Sequence, residues 1–351
     1  MGNHARIKAL GLVIPLLMGA CGQGARTSSH ELAVRSGTAY NCQPIPASDA
    51  TSPDPGALRP FSVKKPDGNP WHRGHDLYVR EGETQWVIGK FHYGNLLLRK
   101  NLQGEEVDIY LLRGCGESWE KLGTTRTSAK GSHEAVEGIA DDGGRVYFAI
   151  PADKALGVGR HRLRLVVAGD HTATDLFIEV LPSDVPLFVS DVDGTLTTSE
   201  LADVSGTLFK KTPDANDGAA SALDALVEKG FRPVYLTARA EAAVQRTRDF
   251  VQERFMPAGK IETSLAGGPV GLTGAQAVSY KTEALARLIR KGFQIALAFG
   301  NTDTDAQAYE NAGIPQDSRY FFKYDDKKFG GNRIESYRDF NGFSDRDGVC
   351  H

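Results

Sequence analysis

Hydrophobic and polar residues alternate in short runs between about residues 71 and 183. In the segment HRLRLVVAGDHTATDLFIEVLP, Leu163 and Leu165 alternate with arginines, a turn follows at residues 169–170, and the alternation resumes at Leu176. A period of two on both sides of a short turn predicts a β-hairpin with one buried face. Because such runs recur without helical spacing, we predict an all-β sandwich of immunoglobulin-like type for residues 71–183.

The pattern changes after that segment, and strands and helices alternate from about residue 184 to 325. The stretches ALDALVEKGFRPVYLTAR and ALARLIRKGFQIALAFGN repeat one order: an amphipathic helix, a glycine that ends it, and a hydrophobic strand. In the second stretch the spacing places Leu285, Leu288 and Ile289 on the buried helix face. This order predicts an α/β domain with a parallel sheet, in which polar residues collect at the carboxyl ends of the strands.

Residues 1–21 have the pattern of an export signal. Arg6 and Lys8 precede an apolar run that is too short to cross a bilayer. The sequence LMGAC at residues 17–21 resembles the bacterial lipobox, which implies lipidation of Cys21 and anchoring of an exported protein to the bacterial cell envelope. An ordinary signal peptide with an incidental cysteine is the alternative.

The remaining segments carry little pattern. Residues 22–70 are rich in Ser, Thr, Pro, Gly and Ala, which predicts a flexible tether, and residues 326–351 form a charged C-terminal tail. Cys42, Cys115 and Cys350 are too far apart for a CxxC motif. A disulfide between the first and last of them and three free thiols remain alternatives.

Composition limits the class of partner. The chain has 351 residues with 40% hydrophobic residues, which suits about two globular domains. Its 41 Lys and Arg against 44 Asp and Glu contain no basic block, so nucleic acid is excluded as the main partner. The oligomeric state stays open.

Candidate chemistry begins in VPLFVSDVDGTLTTSE, where a buried strand is followed by Asp191 and Asp193. Gly194 lets the chain turn sharply and bring backbone N–H groups inward. Two carboxylates this close repel each other, so one would hold a proton at neutral pH unless a cation is present. Mg²⁺ prefers such oxygen ligands. A polar turn or an isolated calcium-binding loop is the alternative.

Further polar residues follow the later strands. Thr237 ends a strand and precedes Arg239, Lys281 is predicted to open the helix KTEALARLIRK, and Asn301 and Asp305 lie in FGNTDTD. Each has a structural explanation as a helix cap, a surface charge or a helix N-terminal acid. Their order along the chain favours a catalytic set.

This ordered set resembles the haloacid dehalogenase superfamily of phosphotransferases over about residues 187–322. The motifs DVDGTLT, YLTAR and AFGNTDTDAQAYENAGIP are most similar to the catalytic domain of lipins, which are Mg²⁺-dependent phosphatidate phosphatases. They are also similar to the related carboxy-terminal domain of membrane-associated phosphatidylinositol transfer proteins. The resemblance implies a Rossmann-like fold, and the short gaps between motifs predict that it lacks a cap domain. Lipins also pair this domain with an immunoglobulin-like one.

The resemblance implies roles for the site residues. Asp191 would be the nucleophile that forms an aspartyl-phosphate, and Asp193 the general acid and base. Thr237 and Lys281 would hold the phosphoryl oxygens. The implied Mg²⁺ ligands are Asp191, the backbone carbonyl of Asp193, Asp305 and, through water, Asn301. The implied substrate contacts are Gly194, Thr195 and Arg239.

The expected substrate is a phosphorylated lipid, most similar to phosphatidate. A phosphatase of soluble periplasmic esters is one alternative. A lipid-binding module without turnover is another, since the transfer-protein relatives often lose these aspartates. Because both aspartates remain here, we expect catalysis. A structural envelope lipoprotein is the third alternative.

Overall fold

The computed structural model describes residues 52–95, 98–114, 116–198, 212–266 and 271–338. The predicted signal peptide with Cys21 lies outside these ranges, as do Cys42, Cys115 and Cys350. Within the described ranges, no helix combines the length and the apolar content that crossing a bilayer requires. The predicted lipid anchor and disulfide therefore stay predictions.

The first domain is a β-sandwich. Its described strands are β1 Asn69–Pro70, β2 Arg73–Gly74, β3 Leu77–Arg80, β4 Trp86–Lys90, β5 His92–Gly94, β6 Arg99–Asn101, β7 Glu106–Leu112, β8 Trp119–Arg126, β9 Arg145–Ala149, β10 Gly159–Val167 and β11 Ala173–Leu181. They form sheets in the orders β3-β11-β10-β7-β8, β2-β4-β9 and β1-β5-β6. A 3₁₀ turn at Ala152–Lys154 precedes β10.

The predicted hairpin is confirmed. β10 pairs antiparallel with β11, and Leu163 lies opposite Leu176. Both side chains are fully buried in the sandwich core, as the alternation predicts. The sandwich is not wholly antiparallel, however, because β3 joins the edge of its sheet parallel to β11. The sequence pattern could not reveal this, since a period of two is the same for both pairings.

Part of the predicted tether contacts the sandwich. Phe61 and Val63 pack against its core. Arg59 forms an ion pair with Asp108, with 2.8 Å between Nη2 and Oδ1. The sandwich therefore includes residues that we assigned to the tether. These two apolar residues lie between Pro60 and Pro66, in a run too short to show a repeated period.

The second domain is an α/β layer structure. Its described strands are β12 Pro186–Ser190, β13 Arg232–Ala240, β14 Lys260–Ser264, β15 Gln294–Gly300, β16 Arg319–Phe322 and β17 Asn332–Ile334. Its described helices are α1 Ala219–Glu228, α2 Val244–Glu253, α3 Gly274–Arg290 and α4 Asp303–Asn311, with 3₁₀ turns at Glu241–Ala243 and Gln316–Ser318.

The predicted parallel sheet is confirmed. The strand order is β14-β13-β12-β15-β16-β17, and each neighbouring pair is parallel. From β12 the chain moves outward to β13 and β14, then crosses back to β15 on the other side of β12. The connections therefore reverse between β12 and β15, and such a switch point is where open α/β sheets bind ligands.

The helices cover both faces of this sheet. Leu223 of α1 and Phe250 of α2 pack with Phe188 on one face. Leu285 of α3 and Tyr309 of α4 pack on the other face. One predicted core position is wrong: Ile289 is 42% exposed. It follows Leu288 by one residue, so it lies about 100° around the helix from that buried position.

The two domains share buried contacts. The Tyr78 hydroxyl of the sandwich donates to the Pro233 carbonyl at 2.6 Å and accepts from the Lys260 N–H at 3.1 Å. Arg248 of α2 forms an ion pair with Asp76, with 2.7 Å between Nη2 and Oδ1. The sandwich is thus fixed to the outer strands β13 and β14 and to the helix between them.

Candidate active site

The two aspartates after β12 point to different partners. Asp191 is 5% exposed, and its N–H donates to the Phe299 carbonyl of β15 at 2.9 Å. The Asp191 carboxylate forms an ion pair with Lys281, whereas the Asp193 carboxylate forms one with Arg239 of β13. The loop after β12 therefore supplies one carboxylate to each side of the strand end.

Lys281 joins two acidic side chains. Its Nζ lies 2.6 Å from Asp191 Oδ1 and 2.6 Å from Asp305 Oδ1. The prediction that Lys281 opens a helix is wrong, because α3 begins seven residues earlier, at Gly274. From the middle of α3 the lysine side chain is 5% exposed and reaches the carboxyl ends of β12 and β15. The alternative of a solvated surface charge is thereby excluded.

Asp305 serves the helix and the site together. Its Oδ2 accepts from the Thr302 N–H at 3.1 Å, the Thr302 hydroxyl at 2.8 Å and the Asn301 N–H at 3.1 Å. The bond from the Thr302 N–H and the reciprocal bond from the Asp305 N–H to the Thr302 hydroxyl form a capping box that starts α4. The other oxygen is left for Lys281, so the cap fixes the carboxylate that the lysine contacts.

The charges of this cluster shift the pKa values of its members. Burial raises the pKa of Asp191 to about 7; the carboxylates of Asp305 and Asp193 act in the same direction, and Lys281 acts against them. Burial opposes the charge of Lys281, but Asp191 and Asp305 outweigh it and raise its pKa above the ordinary value. The lysine is therefore charged at neutral pH, and the site holds more acidic groups than this one cation balances.

Asp193 is held from the side of β13. Its Oδ1 lies 2.5 Å from Nη2 of Arg239, and the Thr237 hydroxyl donates to its Oδ2 at 3.2 Å. Arg239 also donates from Nη1 to the Thr247 hydroxyl of α2 at 3.0 Å. Asp193 is thus positioned by both residues that sequence reasoning selected on this strand.

The glycine and threonine that follow shape the loop. Gly194 has φ +72°, a backbone conformation that favours glycine, and its N–H donates to the Thr197 hydroxyl at 3.0 Å. The Thr195 hydroxyl lies 3.1 Å from Asp191 Oδ2 and 2.9 Å from Asn301 Oδ1. All nine residues predicted for this site, from Asp191 to Asp305, therefore lie at the same end of the sheet.

Sequence reasoning missed three supporting residues. Asn216 donates from Nδ2 to the carbonyls of Thr195 at 2.8 Å and Thr197 at 3.1 Å, so it fixes the loop after β12. Thr247 holds Arg239. Glu241 accepts from two arginines of the sandwich. No motif marks these residues, because each acts through a contact that only the folded chain creates.

The donor set fits a hard divalent cation. The predicted ligands offer only oxygen, from Asp191, Asp305, the Asn301 amide and the Asp193 backbone carbonyl, which suits Mg²⁺. The pKa of Asp191 is raised mainly by burial and further by the carboxylates of Asp305 and Asp193, and a cation bound there would favour the ionised form. In the described ranges, no three side chains among Asp, Glu, His and Cys converge on one metal position. The predicted set contains only two side-chain carboxylates, so it does not require such a cluster.

Comparison with known proteins identifies both domains. Residues 70–180 match the family profile described as PITM 1-3, beta-sandwich domain, and residues 188–323 match the profile described as PITM 1-3, LNS2 domain. Protein retinal degeneration B of Drosophila melanogaster is 29% identical over 266 residues, covering 74% of this chain and 19% of that protein.

Two transfer proteins show similar relationships. Membrane-associated phosphatidylinositol transfer protein 3 of Mus musculus is 26% identical over 295 residues, covering 80% of this chain and 27% of that protein. Membrane-associated phosphatidylinositol transfer protein 1 of Homo sapiens is 29% identical over 190 residues, covering 54% of this chain and 14% of that protein. The solved structure of DsGPDH of Dunaliella salina covers 44% of this chain and 28% of its own, with TM-score 0.30 and 17% identity, too low a similarity to bear on the fold.

The matched region is only a part of each relative. This chain spans between 14% and 27% of the length of the three proteins named above. The predicted similarity to the carboxy-terminal domain of phosphatidylinositol transfer proteins is confirmed by the profile match. The chain joins a PITM 1-3 β-sandwich domain to an LNS2 domain and is homologous to the membrane-associated phosphatidylinositol transfer proteins and retinal degeneration B.

Proposed function

We propose that this protein is a Mg²⁺-dependent phosphomonoesterase of the haloacid dehalogenase type that hydrolyses a lipid phosphate, phosphatidate or a close analogue. One observation carries the proposal. The Asp191 carboxylate lies at the end of β12 between Lys281 and Thr195, and the second acid, Asp193, follows it at Arg239 and Thr237. A nucleophile, a proton carrier and phosphate-binding donors are thus gathered at one strand end.

In the first step, a carboxylate oxygen of Asp191 attacks phosphorus. A bond forms between that oxygen and phosphorus, and the bond from phosphorus to the alcohol oxygen breaks, leaving its electron pair on the oxygen. Asp193 in its protonated form donates the proton that makes this oxygen a neutral alcohol. Lys281, Thr195 and the backbone around Gly194 donate to the phosphoryl oxygens, where charge accumulates.

In the second step, water attacks the aspartyl-phosphate. Asp193, now a carboxylate, removes a proton from the water as its oxygen bonds to phosphorus. The bond between phosphorus and Asp191 breaks, phosphate leaves, and Asp191 returns as a carboxylate. Arg239 orients Asp193 in both steps, because its guanidinium contacts the same carboxylate oxygen through Nε and Nη2.

Asp191, Asp305, Asn301 and the Asp193 carbonyl would hold the metal ion. When bound, Mg²⁺ would neutralise carboxylate and phosphate charge and favour the ionised, nucleophilic form of Asp191. Lys281 supplies part of this neutralisation, since it contacts both carboxylates. Asp305 is held in place for this role by its bonds to Thr302.

Two observations support a lipid substrate. The homologues are named as membrane-associated phosphatidylinositol transfer proteins. The short chain segments between the motifs leave no room for a cap domain of ordinary size, which suits a substrate held at a membrane; residues 199–211 of one such segment lie outside the described ranges. Lipidation of Cys21, if it occurs as the lipobox sequence predicts, would hold the active site near its substrate.

A lipid-binding module without turnover is the second candidate. The transfer-protein homologues are named for transfer and not for hydrolysis. In the structure, Lys281 occupies the oxygens of Asp191 and Asp305 that metal and substrate would use. A site of this kind could bind a phosphate headgroup and release it unchanged.

Measurement of phosphate release separates these candidates. The protein is assayed with phosphatidate in detergent micelles, glycerol 3-phosphate and glucose 6-phosphate, each with Mg²⁺ and with EDTA. The proposal predicts Mg²⁺-dependent release from phosphatidate, its loss in Asp191→Asn, and normal release in the control Asp303→Asn, an exposed acid of the same α4 turn. Binding of phosphatidate without release would support the lipid-binding module. Release from soluble esters alone would support the soluble-ester phosphatase.

A further inference from the structure

A cavity of 560 Å³ lies at the outer edge of the α/β sheet, beside the candidate active site. Its walls come from the end of β14, the first half of α3 and the sandwich loop that contains Ile139. Carbon atoms make up most of its lining. The volume falls within the range of about 300 to 1,000 Å³ that is usual for small-molecule sites.

Tyr280 forms part of the cavity wall. Its hydroxyl is buried, with no hydrogen-bond partner among the residues that the structure describes, so it does not face the open space of the cavity. A ligand in the cavity would therefore contact the aromatic carbons of Tyr280.

The cavity is one strand away from the catalytic residues. Thr263 of its wall pairs with Thr237, which contacts Asp193, and paired residues on neighbouring strands are about 4.8 Å apart. A second wall residue, Leu272, donates its N–H to the carbonyl of Ala238 at 2.9 Å, and the next residue is Arg239. The cavity therefore lies one strand away from the site, and α3 contributes residues to both.

The charge distribution across this region matches a phospholipid. Lys281 and Arg239 are cations at the catalytic end, where they contact Asp191 and Asp193. The neighbouring cavity offers apolar side chains, including Ile139, Leu272 and Leu265, the last of which is 37% exposed. Its wall also includes the charged residues Glu262, Glu283 and Arg287. A ligand with an anionic head and a hydrocarbon chain would satisfy both ends.

We propose that this cavity binds an acyl chain of the lipid whose phosphate lies at Asp191. The inference rests on the proposed function, because it takes the phosphate site as given. It adds a site that would select lipids over soluble esters. The chain would pack against apolar side chains of the wall, among them Ile139 and Leu272.

Photocrosslinking tests the proposal without requiring turnover. The full-length Asp191→Asn protein is incubated with vesicles of phosphatidylcholine that contain phosphatidate with a diazirine on one acyl chain. After irradiation and digestion, the labelled residues are identified by mass spectrometry. The proposal predicts label on residues 262–266 and 272–287, reduced at least fivefold by Ser279→Trp, which adds a large side chain to the cavity lining. Label that is spread over other surfaces, or unchanged in this variant, would overturn it.

Two further variants guard against misfolding. Ala275→Phe narrows the same cavity with a smaller change and should give the same loss of label. Arg290→Trp introduces the same tryptophan on α3 outside the cavity lining and should leave the label unchanged. An equal loss in Arg290→Trp would contradict the proposal.

The outcome also separates this inference from the proposed function. If phosphatidate is hydrolysed but the cavity is not labelled, the acyl-chain site is wrong and the phosphatase proposal stands. If the cavity is labelled and no ester is hydrolysed, the acyl-chain site stands and the phosphatase proposal is wrong. For an active enzyme, Ser279→Trp should lower kcat/KM at least fivefold for dipalmitoyl phosphatidate and leave dibutyryl phosphatidate unchanged.

Discussion

Glu241 and Arg145 form a buried ion pair between the two domains, with 3.0 Å between Oε1 and Nη2. The same carboxylate oxygen lies 2.9 Å from Nη2 of Arg73, also in the sandwich. Burial alone would raise the pKa of Glu241, but the two guanidinium groups outweigh it and lower the pKa to about 2. Because Glu241 follows Arg239 by two residues, the sandwich is attached directly beside the candidate active site.

Replacement of Glu241 by alanine should destabilise the protein strongly. Two arginines would keep their charge in a buried place without their shared partner, a change that typically costs about 3 to 5 kcal/mol. Urea denaturation at pH 7 measures the effect. The control is Glu283→Gln, which removes an exposed ion pair with Arg290 and should leave stability nearly unchanged. An equal loss of unfolding free energy in both variants would contradict a buried ion pair between the domains.

His92 should make stability fall in acid. Its Nε2 lies 2.6 Å from Nη1 of Arg73, so the neutral ring accepts from the guanidinium. Burial, and then Arg73, lower the pKa of His92 to about 3. An unfolded histidine has a pKa of about 6.5, so the unfolded chain binds one more proton between these values.

The contribution of His92 to the free energy of unfolding is therefore fully present above pH 6.5. It decreases by about 1.4 kcal/mol for each pH unit as the pH falls from 6.5 toward 3. In His92→Gln, the free energy of unfolding should depend less steeply on pH across this window. Denaturation series at pH 7, 6, 5 and 4 provide the slopes. The same slope in both proteins would show that His92 titrates alike in the folded and unfolded states.

Thr247→Val should slow catalysis, because Thr247 holds Arg239, which orients Asp193. Valine keeps the shape of threonine but removes the hydroxyl that accepts from Arg239 Nη1. A hydrogen bond to a charged group contributes about 1.5 to 3 kcal/mol, so kcat/KM for phosphatidate should fall roughly tenfold or more. The matched control is Thr282→Val on α3, which should leave kcat/KM unchanged. If Thr247→Val has wild-type kinetics, Arg239 does not depend on this contact.

Lys281→Met should remove turnover. The methionine side chain has a similar length but cannot donate to phosphate or balance Asp191 and Asp305, which both lie 2.6 Å from the lysine nitrogen. Loss of such a donor typically lowers kcat by about 100-fold to 1,000-fold. Arg290→Met, on an exposed turn of the same helix, is the control. Circular dichroism of both variants shows whether the fold is retained, and an active, folded Lys281→Met protein would exclude the proposed role.

Much of the α/β domain could be predicted from local sequence. The alternation of helix and strand patterns specified a parallel sheet, and the short motifs placed Asp191, Asp193, Thr237 and Asp305 at its carboxyl end. These features depend on residues close together in the chain, whose spacing is visible directly. The catalytic roles and the haloacid dehalogenase assignment remain predictions, because no comparison or contact measures them.

Features that depend on long-range packing could not be predicted. The start of α3 at Gly274 was missed because GLTGAQ has little helical periodicity, and Lys281 was therefore placed at the wrong point of its helix. The parallel pairing of β3 with β11 joins strands about 100 residues apart. Asn216 and Glu241 have roles that arise only when distant segments meet.

Trapping of the covalent intermediate tests the central claim most directly. Asp193 serves both the formation and the hydrolysis of this intermediate, so the unmodified protein is mixed with ³²P-labelled phosphatidate and Mg²⁺ and quenched in acid within milliseconds. The account predicts hydroxylamine-sensitive label on the peptide that contains Asp191, and no label in Asp191→Asn. Label on another residue, or hydrolysis of phosphatidate by a protein that lacks Asp191, would contradict it.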